Sequence, residues 1–442
     1  MSIDKSLYTE QIVVGLDIGT TKICAIVGKR NEFGKINILG VGKSHSDGVS
    51  RGVVVNIEKT VQAIREAVTE AEKHSGIKIE VVHVGIAGEH VRSMQHKGII
   101  TLSHPDFEIV PDDVNRLHED MFKIATQPGT EIIHVLPQEY TVDSQAGIID
   151  PVGMSGVRLE GNFHIVTGQT TAANNIYKCV VRAGLEVEEL ILEPLASSAA
   201  VLTEEEKEAG VCLVDIGGGT TDIAVFENNI IRHTAVIPFG GNIVTEDIKH
   251  GFKVMKKHAE LLKQQYGSAL ADAVTEDVII SIPGPRDRPA KEIHRSMLAQ
   301  VIQSRMEEIL EFVLAEIKNS GYEDKLVAGI VVTGGGAQLA HMKQCVEYVT
   351  GIDTRIGLPG EHLASGLVDE VNFPMFATGT GLVIMGLSGT DHAPARTSSR
   401  RDATTVFQQR GGSSRSGPKI SFIDKVKTWF ESTLTNTGEF IE

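Results

Sequence analysis

The stretch VCLVDIGGGTTDIAVF, residues 211–226, consists of two apolar runs on either side of a glycine-rich break. Apolar, β-branched runs that flank such a break predict two strands joined by a tight hairpin. Asp215 ends the first run, where its carboxylate is placed to hold a metal ion through water. The turn offers a hydroxyl donor and three N–H groups that can approach an anion closely, because the glycines have no Cβ: Gly217, Gly218, Gly219 and Thr220. Alone, the stretch fits either a phosphate-binding turn or a plain glycine-rich turn.

The same pattern occurs near the start of the chain, in IVVGLDIGTTKICAIVGKR at residues 12–30. Asp17 ends the first apolar run, and the predicted turn contains Gly19, Thr20, Thr21 and Lys22. Both copies contain D-I-G followed by threonines, and each opens about half of the chain. A third glycine-rich turn follows the apolar run at 329–332 and contains Gly334, Gly335 and Gly336. This order predicts two related domains that close on one nucleotide.

Length and composition are typical of a soluble globular protein. At 442 residues the chain is long enough for two or more domains, each with its own core. The formal net charge of −16 argues against general nucleic-acid binding, and no nucleic-acid partner is expected. The cysteines fall in no C-x-x-C or metal-ligand pattern, so we expect small core residues in a reducing cytoplasm: Cys24, Cys179, Cys212 and Cys345. A metal site built from protein ligands alone is not expected.

No stretch of the sequence predicts a signal peptide or a membrane-spanning helix. The first ten residues are polar and charged, which argues against a signal peptide. No apolar run reaches the roughly 18–20 residues that are needed to cross a bilayer. We therefore expect the body of the chain to be soluble.

The predicted elements divide the chain into two α/β halves, each interrupted by an insertion. Two further predictions concern single elements near the insertions. A strand at His164–Thr167 is expected to return the chain to the first sheet, and a long amphipathic helix is expected at 290–319. The apolar stripe of that helix fits core packing better than a partner surface. The predicted segments are 1–84, 85–163 (insertion), 164–210, 211–251, 252–322 (insertion) and 323–387.

Glu193 follows an apolar run and begins a helix that is rich in small residues, EPLASSA. Two interpretations of this acid remain open. Ligands of open α/β sheets collect at strand ends, which favours a role in a site. An acid is also favoured at a helix N-terminus by the helix dipole, without any function.

The last part of the chain changes composition. Residues 388–419 are rich in Ser, Thr, Arg, Gly and Pro, which predicts a disordered linker with a reach of roughly 30 Å. Residues 420–442 contain a predicted amphipathic helix with basic residues nearby, which favours binding to an anionic membrane surface over docking on the body of the protein. Its apolar face consists of Phe422, Ile423, Val426, Trp429, Phe430 and Leu434.

Taken in order, the motifs DIGTTK, LEPLASSA, DIGGGTTD, TGGGA and TGTGL resemble the nucleotide motifs of the actin-like ATPase superfamily. The stretches RAGLEV and PFGGNIVTEDI and the tail further resemble the bacterial cell-division family FtsA. This resemblance covers about residues 10–387 and the tail. It implies an actin-like fold of two duplicated RNase H-like domains, each with an inserted subdomain. The implied subdomains are 1A (1–84 and 164–210), 1C (85–163), 2A (211–251 and 323–387) and 2B (252–322).

The resemblance also implies ATP and Mg²⁺ as cofactors, with at most a slow ATPase activity. Asp17 and Asp215 would orient Mg²⁺ through its waters, and Glu193 would lie near the attacking water. The residues that the resemblance places on the nucleotide are Gly19, Thr20, Thr21, Lys22, Gly217, Gly218, Gly219, Thr220, Asp222, Gly240, Gly241, Gly334, Gly335 and Gly336.

Members of this family resemble actin in polymerising, and they link filaments of the tubulin-like protein FtsZ to the cytoplasmic face of the inner membrane at the division site. By resemblance, the insertion at 252–322 would bind the FtsZ C-terminal peptide. The insertion at 85–163 would contact neighbouring subunits and later division proteins.

An alternative function from a different class is a small-molecule kinase of the same superfamily, for example one acting on a sugar. Such an enzyme would need a catalytic aspartate that faces a polar substrate cleft, and it would not need the tail. A chaperone ATPase fits less well, because no peptide-binding domain follows the second half.

Overall fold

The computed structural model describes residues 11–388, except 33, 103–107, 285–288 and 365–366. The predicted tail helix, and the predicted linker apart from Ser388, lie outside the described residues. The first half begins with a hairpin, two short strands, a helix and a parallel strand. These elements are β1 (Ile12–Ile18), β2 (Lys22–Arg30), β3 (Ile36–His45), β4 (Val49–Ser50), β5 (Val53–Val54), α1 (Ile57–Ser75) and β6 (Val81–Ile86).

An insertion follows, and the chain then returns to the first sheet and crosses to the second half. The insertion contains β7 (Arg92–Thr101), α2 (Pro111–Met121), β8 (Thr130–Val142), β9 (Gln145–Ile148) and β10 (Arg158–Gln169). The return and the crossing are made by α3 (Thr170–Ala183), β11 (Glu186–Leu192), α4 (Glu193–Val201) and α5 (Glu204–Ala209).

The second half begins with the hairpin quoted above. Its first elements are β12 (Val211–Ile216), β13 (Thr221–Glu227), β14 (Ile230–Ile237), α6 (Gly241–Phe252), α7 (Lys256–Tyr266), β15 (Ile279–Ile282), β16 (Lys291–His294) and α8 (Arg295–Ser320). Its last elements are β17 (Ile330–Thr333), α9 (Met342–Thr350), β18 (Thr354–Ile356), α10 (Val368–Val371) and α11 (Ala377–Ser388).

The two halves repeat one sheet topology. Within the described residues, the first sheet has the strand order β3-β2-β1-β6-β11 and the second has the order β14-β13-β12-β17-β18. In each sheet the first three strands pair antiparallel and the last two are added parallel. The strands β1 and β12 are apolar and buried along almost their whole length, as expected for the centre of a covered sheet. The predicted duplication is confirmed.

Helix α1 illustrates why the local sequence adopts its structure. Its apolar residues at 3–4 spacing, including Val61, Ile64 and Val68, are buried against the first sheet. The side chain of Asn56 accepts a hydrogen bond from the N–H of Lys59 at the first turn. Gly76 ends the helix in the left-handed conformation, with φ 69°, which costs least without a Cβ.

The insertion forms a separate sheet with the order β7-β10-β8-β9 among the described residues. The prediction that His164–Thr167 return the chain to the first sheet is wrong. These residues belong to β10, which pairs with β7 and β8 along its length. The chain returns to the first sheet only at β11, which pairs with β6. Periodicity predicted the strand correctly, but it carries no information about which strand becomes the partner.

The long helix predicted at 290–319 begins later, at Arg295. Residues Lys291–His294 form β16 instead, because they pair antiparallel with β15 and bury Ile293 in the core of the second half. From there α8 buries a stripe that includes Leu298, Ile302, Met306, Ile309 and Val313. Core packing was therefore the correct interpretation of this stripe, although Met297 and Phe312 are 53% and 43% exposed.

Helices α4 and α11 cross between the two sheets at very short range. A Cβ added to Gly381 would lie 1.7 Å from the carbonyl oxygen of Ala196. A Cβ added to Gly15 on β1 would lie 2.6 Å from the carbonyl oxygen of Gly379. The absence of these side chains therefore sets how closely α11 approaches both α4 and the first sheet. In the described part of the chain, no helix combines the length and hydropathy needed to cross a membrane.

A glycine-to-alanine pair tests this crossing. We expect Gly381→Ala to lower the free energy of unfolding by about 1–3 kcal/mol, because its methyl group would meet the backbone of α4. Gly251→Ala in α6 is the matched control, since the nearest atom to its added Cβ would be 4.0 Å away. The control should be neutral or stabilising by up to about 1 kcal/mol. Urea denaturation of the full chain measures both, and equal values for the two variants would contradict the packing argument.

Candidate functional site

The glycine-rich turns of the two hairpins touch each other. A Cβ added to Gly218 would lie 1.9 Å from Oγ1 of Thr21, and one added to Gly219 would lie 2.6 Å from Oγ1 of Thr20. Each turn is closed by one backbone hydrogen bond, donated by Gly19 to Lys22 in the first turn and by Gly217 to Thr220 in the second, at 3.0 and 2.9 Å. The structure thus brings the turn residues predicted from the two hairpins into direct contact.

Asp17 and Lys22 form an ion pair at the base of the first turn. Lys22 Nζ lies 2.5 Å from Asp17 Oδ2, and both side chains are largely buried. Burial by itself lowers the pKa of Lys22, but the negative charge of Asp17 and the hydrogen bond to it raise the pKa above its ordinary value. The lysine is therefore a permanent cation beside the two turns.

Asp215, at the end of β12, accepts hydrogen bonds from both crossing helices. Ser197 Oγ on α4 donates to Asp215 Oδ2 at 2.6 Å, and Thr378 Oγ1 on α11 donates to the same oxygen at 3.4 Å. The two hydroxyl groups also lie 3.0 Å apart. Ser197 and Thr378 lie in the motifs LEPLASSA and TGTGL, but their hydrogen bonds to Asp215 were not predicted from the sequence. Hydroxyl residues within otherwise apolar helices were the available signal.

Acidic side chains accumulate around this carboxylate. Desolvation, followed by the charges of Asp17, Asp222 and Asp215, raises the pKa of the partly buried Glu193 well above its ordinary value. Desolvation also raises the pKa of Asp215. Glu193 packs against Gly85, where an added Cβ would lie 2.9 Å from its Cγ. Glu193 is therefore both the first residue of α4 and one of the acids grouped beside Asp215.

Asp222 is the least satisfied of these acids. Thr220 Oγ1 donates to its Oδ2 at 3.0 Å, but Oδ1 is buried with no hydrogen-bond partner among the described residues. An unpaired buried carboxylate oxygen is unfavourable unless a cation or donor approaches it. Within the described ranges no group of three or more His, Cys, Asp or Glu is arranged to hold a metal directly. Carboxylate oxygens are donors that suit a divalent ion that keeps its waters, and Asp17 and Asp215 offer them near the ends of β1 and β12.

Gly240 and Gly241 lie behind the second turn. The first N–H groups of α6, on Gly241 and Asn242, donate to the carbonyl oxygens of Gly217 and Gly218 at 2.9 and 2.8 Å. A Cβ added to Gly240 would lie 2.6 Å from the oxygen of Gly217. These glycines therefore support the second turn. The first two N–H groups of α6 are hydrogen-bonded to the carbonyl oxygens of this turn.

Lys263, which the sequence analysis missed, extends from α7 to this same helix terminus. Its Nζ donates to the carbonyl oxygen of Gly241 and to Thr245 Oγ1, both at 2.9 Å, and pairs with Glu260 at 2.8 Å. Lys263 thereby connects the second-half insertion to α6, the helix whose N-terminus supports the second turn.

The third glycine turn reaches the site through one residue. Gly334 has φ 83°, and an added Cβ would lie 2.2 Å from Asp215 Oδ1. Only glycine combines this conformation with such an approach. Gly336 packs on Ile216, whereas no described atom lies within 4 Å of an added Cβ at Gly335. The structure thus brings Gly334 against Asp215 and leaves Gly335 facing open space.

Comparison with known proteins identifies close relatives. A family model described as Cell division protein FtsA matches residues 212–381, and one described as SHS2 domain inserted in FTSA matches 88–167. A Cell division protein FtsA from Pseudomonas aeruginosa is 41% identical over 97% of this chain and 100% of its own length. Those from Neisseria meningitidis and Escherichia coli K12 are 43% and 39% identical, over 95% and 85% of this chain and 98% and 90% of their own.

Solved structures confirm the predicted actin-like fold. A PilM–PilN type IV pilus biogenesis complex matches with a TM-score of 0.61 at 16% identity, over 85% of this chain and 98% of its own. MreB5 of Spiroplasma citri bound to ADP matches with a TM-score of 0.54 at 14% identity, over 87% of this chain and 99% of its own. At such identities the likeness shows the fold alone.

The buried acid Asp222 predicts a pH dependence of stability. Desolvation and the charge of Asp215 raise its pKa to about 8, from an ordinary value of 3.8. The folded state therefore binds the proton that the unfolded state loses, and the unfolding free energy falls as the pH rises from about 4 to about 8. We expect Asp222→Asn to flatten this fall. Chemical denaturation at several pH values measures it, with the exposed Asp369→Asn as the control. Identical slopes for wild type and Asp222→Asn would contradict the assignment.

Proposed function

Because this chain belongs to the FtsA family of cell-division proteins, we propose that it binds ATP with Mg²⁺, polymerises and tethers FtsZ filaments to the membrane at the division site. Near full-length identity of 41–43% to FtsA proteins is the observation that carries this proposal. The contact between the two hairpin turns, with Asp17 and Asp215 beside it, supports the nucleotide part. A fold relative is itself described as bound to ADP.

The turns provide the donors for the phosphates. The N–H groups of Gly218 and Gly219 would face the phosphates from one side, and Thr20, Thr21 and Lys22 from the other. Because Gly218 and Thr21 are already in contact, the two turns must separate to admit a triphosphate.

The acids of the site would repel a triphosphate unless their charge is offset. Mg²⁺, when bound, would supply the positive charge that offsets these acids. Asp17 and Asp215 would hold its waters, because both lie at strand ends beside the turns and Ser197 and Lys22 fix their orientation. Glu193 would lie next to the attacking water, consistent with at most a slow ATPase.

The second-half insertion has a cavity suited to a peptide. This cavity of about 410 Å³ lies in the insertion and not between the turns. Its apolar lining includes Val254, Met255 and Ile282, and its basic lining includes Lys253 and His258. Apolar and basic groups together suit a short peptide with apolar and acidic side chains. We assign this region to the C-terminal peptide of FtsZ, and the 85–163 insertion to neighbouring subunits and later division proteins.

The tail would provide the membrane attachment. The sequence at 420–442 has apolar residues at helical spacing, and a single short amphipathic helix binds a membrane weakly. Filament formation joins many such tails, so that their weak contacts add up to stable attachment. Polymerisation and membrane binding would therefore depend on each other.

Nucleotide binding is tested by Asp215→Asn. We expect Mg-ATP affinity to fall about ten- to hundredfold, because the variant loses a carboxylate that holds the metal waters. Isothermal titration calorimetry on the full chain measures the affinity. Asp369→Asn, an exposed aspartate in α10, should bind as the wild type does. Equal affinities for wild type and Asp215→Asn would refute the site.

Membrane binding is tested by placing one negative charge on either face of the tail. Trp429→Glu puts the charge on the apolar face and should abolish co-sedimentation with anionic vesicles while leaving Mg-ATP binding unchanged. Thr428→Glu puts the same charge on the opposite face of the predicted helix and should retain most of the binding. Unchanged sedimentation of the Trp429→Glu chain would refute the assignment of the tail.

A further inference from the structure

The turn between β4 and β5 lies against both glycine-rich turns of the site. The N–H of Gly52 donates to Oγ1 of Thr20 at 3.3 Å, in the first turn. A Cβ added to Gly219, in the second turn, would lie 3.0 Å from both the N and the Cα of Arg51. Arg51 and Gly52 therefore contact the two halves of the protein at the point where the turns meet.

The same turn also packs against the start of the insertion. Gly52 has φ 75°, and an added Cβ would lie 2.6 Å from the carbonyl oxygen of Ala87. Gly88 has φ 129°, and an added Cβ would lie 3.0 Å from the carbonyl oxygen of Arg51. Two glycines in conformations that side chains rarely adopt thus allow backbone-to-backbone contact. Residues 51–52 therefore lie in backbone contact with residues 87–88.

The side chain of Arg51 is held only weakly. Its Nη1 lies 3.8 Å from Oε2 of Glu89, and the two side chains are 55% and 52% exposed. An exposed pair of this kind contributes little to stability. A phosphate oxygen pair is a stronger partner for the planar guanidinium, since it accepts two parallel hydrogen bonds. Arg51 can therefore exchange Glu89 for a phosphate at little cost.

The segment after Glu89 contains a buried histidine whose ring is not hydrogen-bonded within the described part of the chain. His90 is buried, and neither of its ring nitrogens has a hydrogen-bond partner among the described residues. Such a group destabilises the arrangement that contains it. The N–H of Val91 donates to the oxygen of Gly88 at 3.0 Å. Nη1 of Arg92 donates to the carbonyl oxygens of Glu89 and Val91 at 2.7 and 2.9 Å. A rearrangement of this segment that exposes the His90 ring would relieve this unfavourable burial.

The insertion is also in contact with the second half. Ser93 Oγ donates to the carbonyl oxygen of Thr234 at 3.1 Å, and Gln138 Nε2 donates to that of Ile231 at 2.9 Å. His164 Nε2 lies 2.9 Å from Thr234 Oγ1. A shift at the start of the insertion therefore changes how its sheet meets β14.

We propose that Arg51 binds the terminal phosphate of a nucleoside triphosphate and, by leaving Glu89, releases the start of the insertion. This assignment rests on the proposed nucleotide site and adds two properties to it. Arg51 distinguishes a triphosphate from a diphosphate, and the segment 88–91 reports the difference to the insertion. The ligand is the phosphate group farthest from the nucleoside, which ADP lacks.

The affinities for Mg-ATP and Mg-ADP test the binding role. For Arg51→Gln, calorimetry on the full chain should show Mg-ATP binding about tenfold weaker and Mg-ADP binding unchanged. Arg51→Lys should recover part of the loss because the charge is retained. Arg182→Gln is the matched control, since Arg182 is as exposed as Arg51 and pairs with Glu58 at 2.8 Å; it should change neither affinity.

Hydrogen exchange at the amide of Val91 tests the coupling. In wild type this amide should exchange faster with Mg-ATP than with Mg-ADP, and in Arg51→Gln the two rates should be equal. Glu89→Gln should exchange fast with either nucleotide, because the ion pair is already absent. An Arg51→Gln chain that keeps both the wild-type affinity ratio and the wild-type exchange difference overturns the assignment of Arg51 alone. Wild-type protein that binds neither nucleotide overturns the proposed function as well.

Discussion

The constraint on which this structure depends is the concentration of negative charge where its two halves meet. Desolvation, and then the charges of neighbouring acids, raise the pKa values of Glu193, Asp215 and Asp222. Lys22 forms an ion pair with Asp17 beside them. Buried like charges of this kind are unfavourable unless they are protonated, paired or neutralised by a bound ion. Negative charge concentrated at this junction favours a bound cation, and a bound cation in turn favours a phosphate chain beside it.

Close contact through glycine brings this junction together. Gly218 meets Thr21 across the junction, Gly334 meets Asp215, and Gly381 meets Ala196 where α11 crosses α4. In each case a methyl group would overlap a neighbouring atom, so the distance between elements is set by the missing side chain. The crossing helices also place hydroxyl groups on Asp215. The packing of α4 and α11 therefore positions the acid as well as the two sheets.

Much of the fold followed from local pattern. Apolar runs on either side of glycine-rich breaks predicted the hairpins at β1–β2 and β12–β13, and an amphipathic pattern predicted most of α8. The errors were of one kind. His164–Thr167 form a strand, but in the sheet of the insertion, and Ile293 lies in a strand where a helix was predicted. Both errors concern which segment pairs with which, a property of distant parts of the chain that the local residues do not specify.

The sequence by itself determined the duplicated plan and the residues of the two turns, because glycine and aspartate at strand ends have local conformational and chemical reasons to be there. Only the tertiary structure decided that Ser197 and Thr378 hold Asp215, that Lys263 supports α6, and that Arg51 lies between the turns. These contacts join residues far apart in the chain, and they exist because packing of the helices and sheets brings the residues to one place. The spacing of residues in a sequence does not determine such distances.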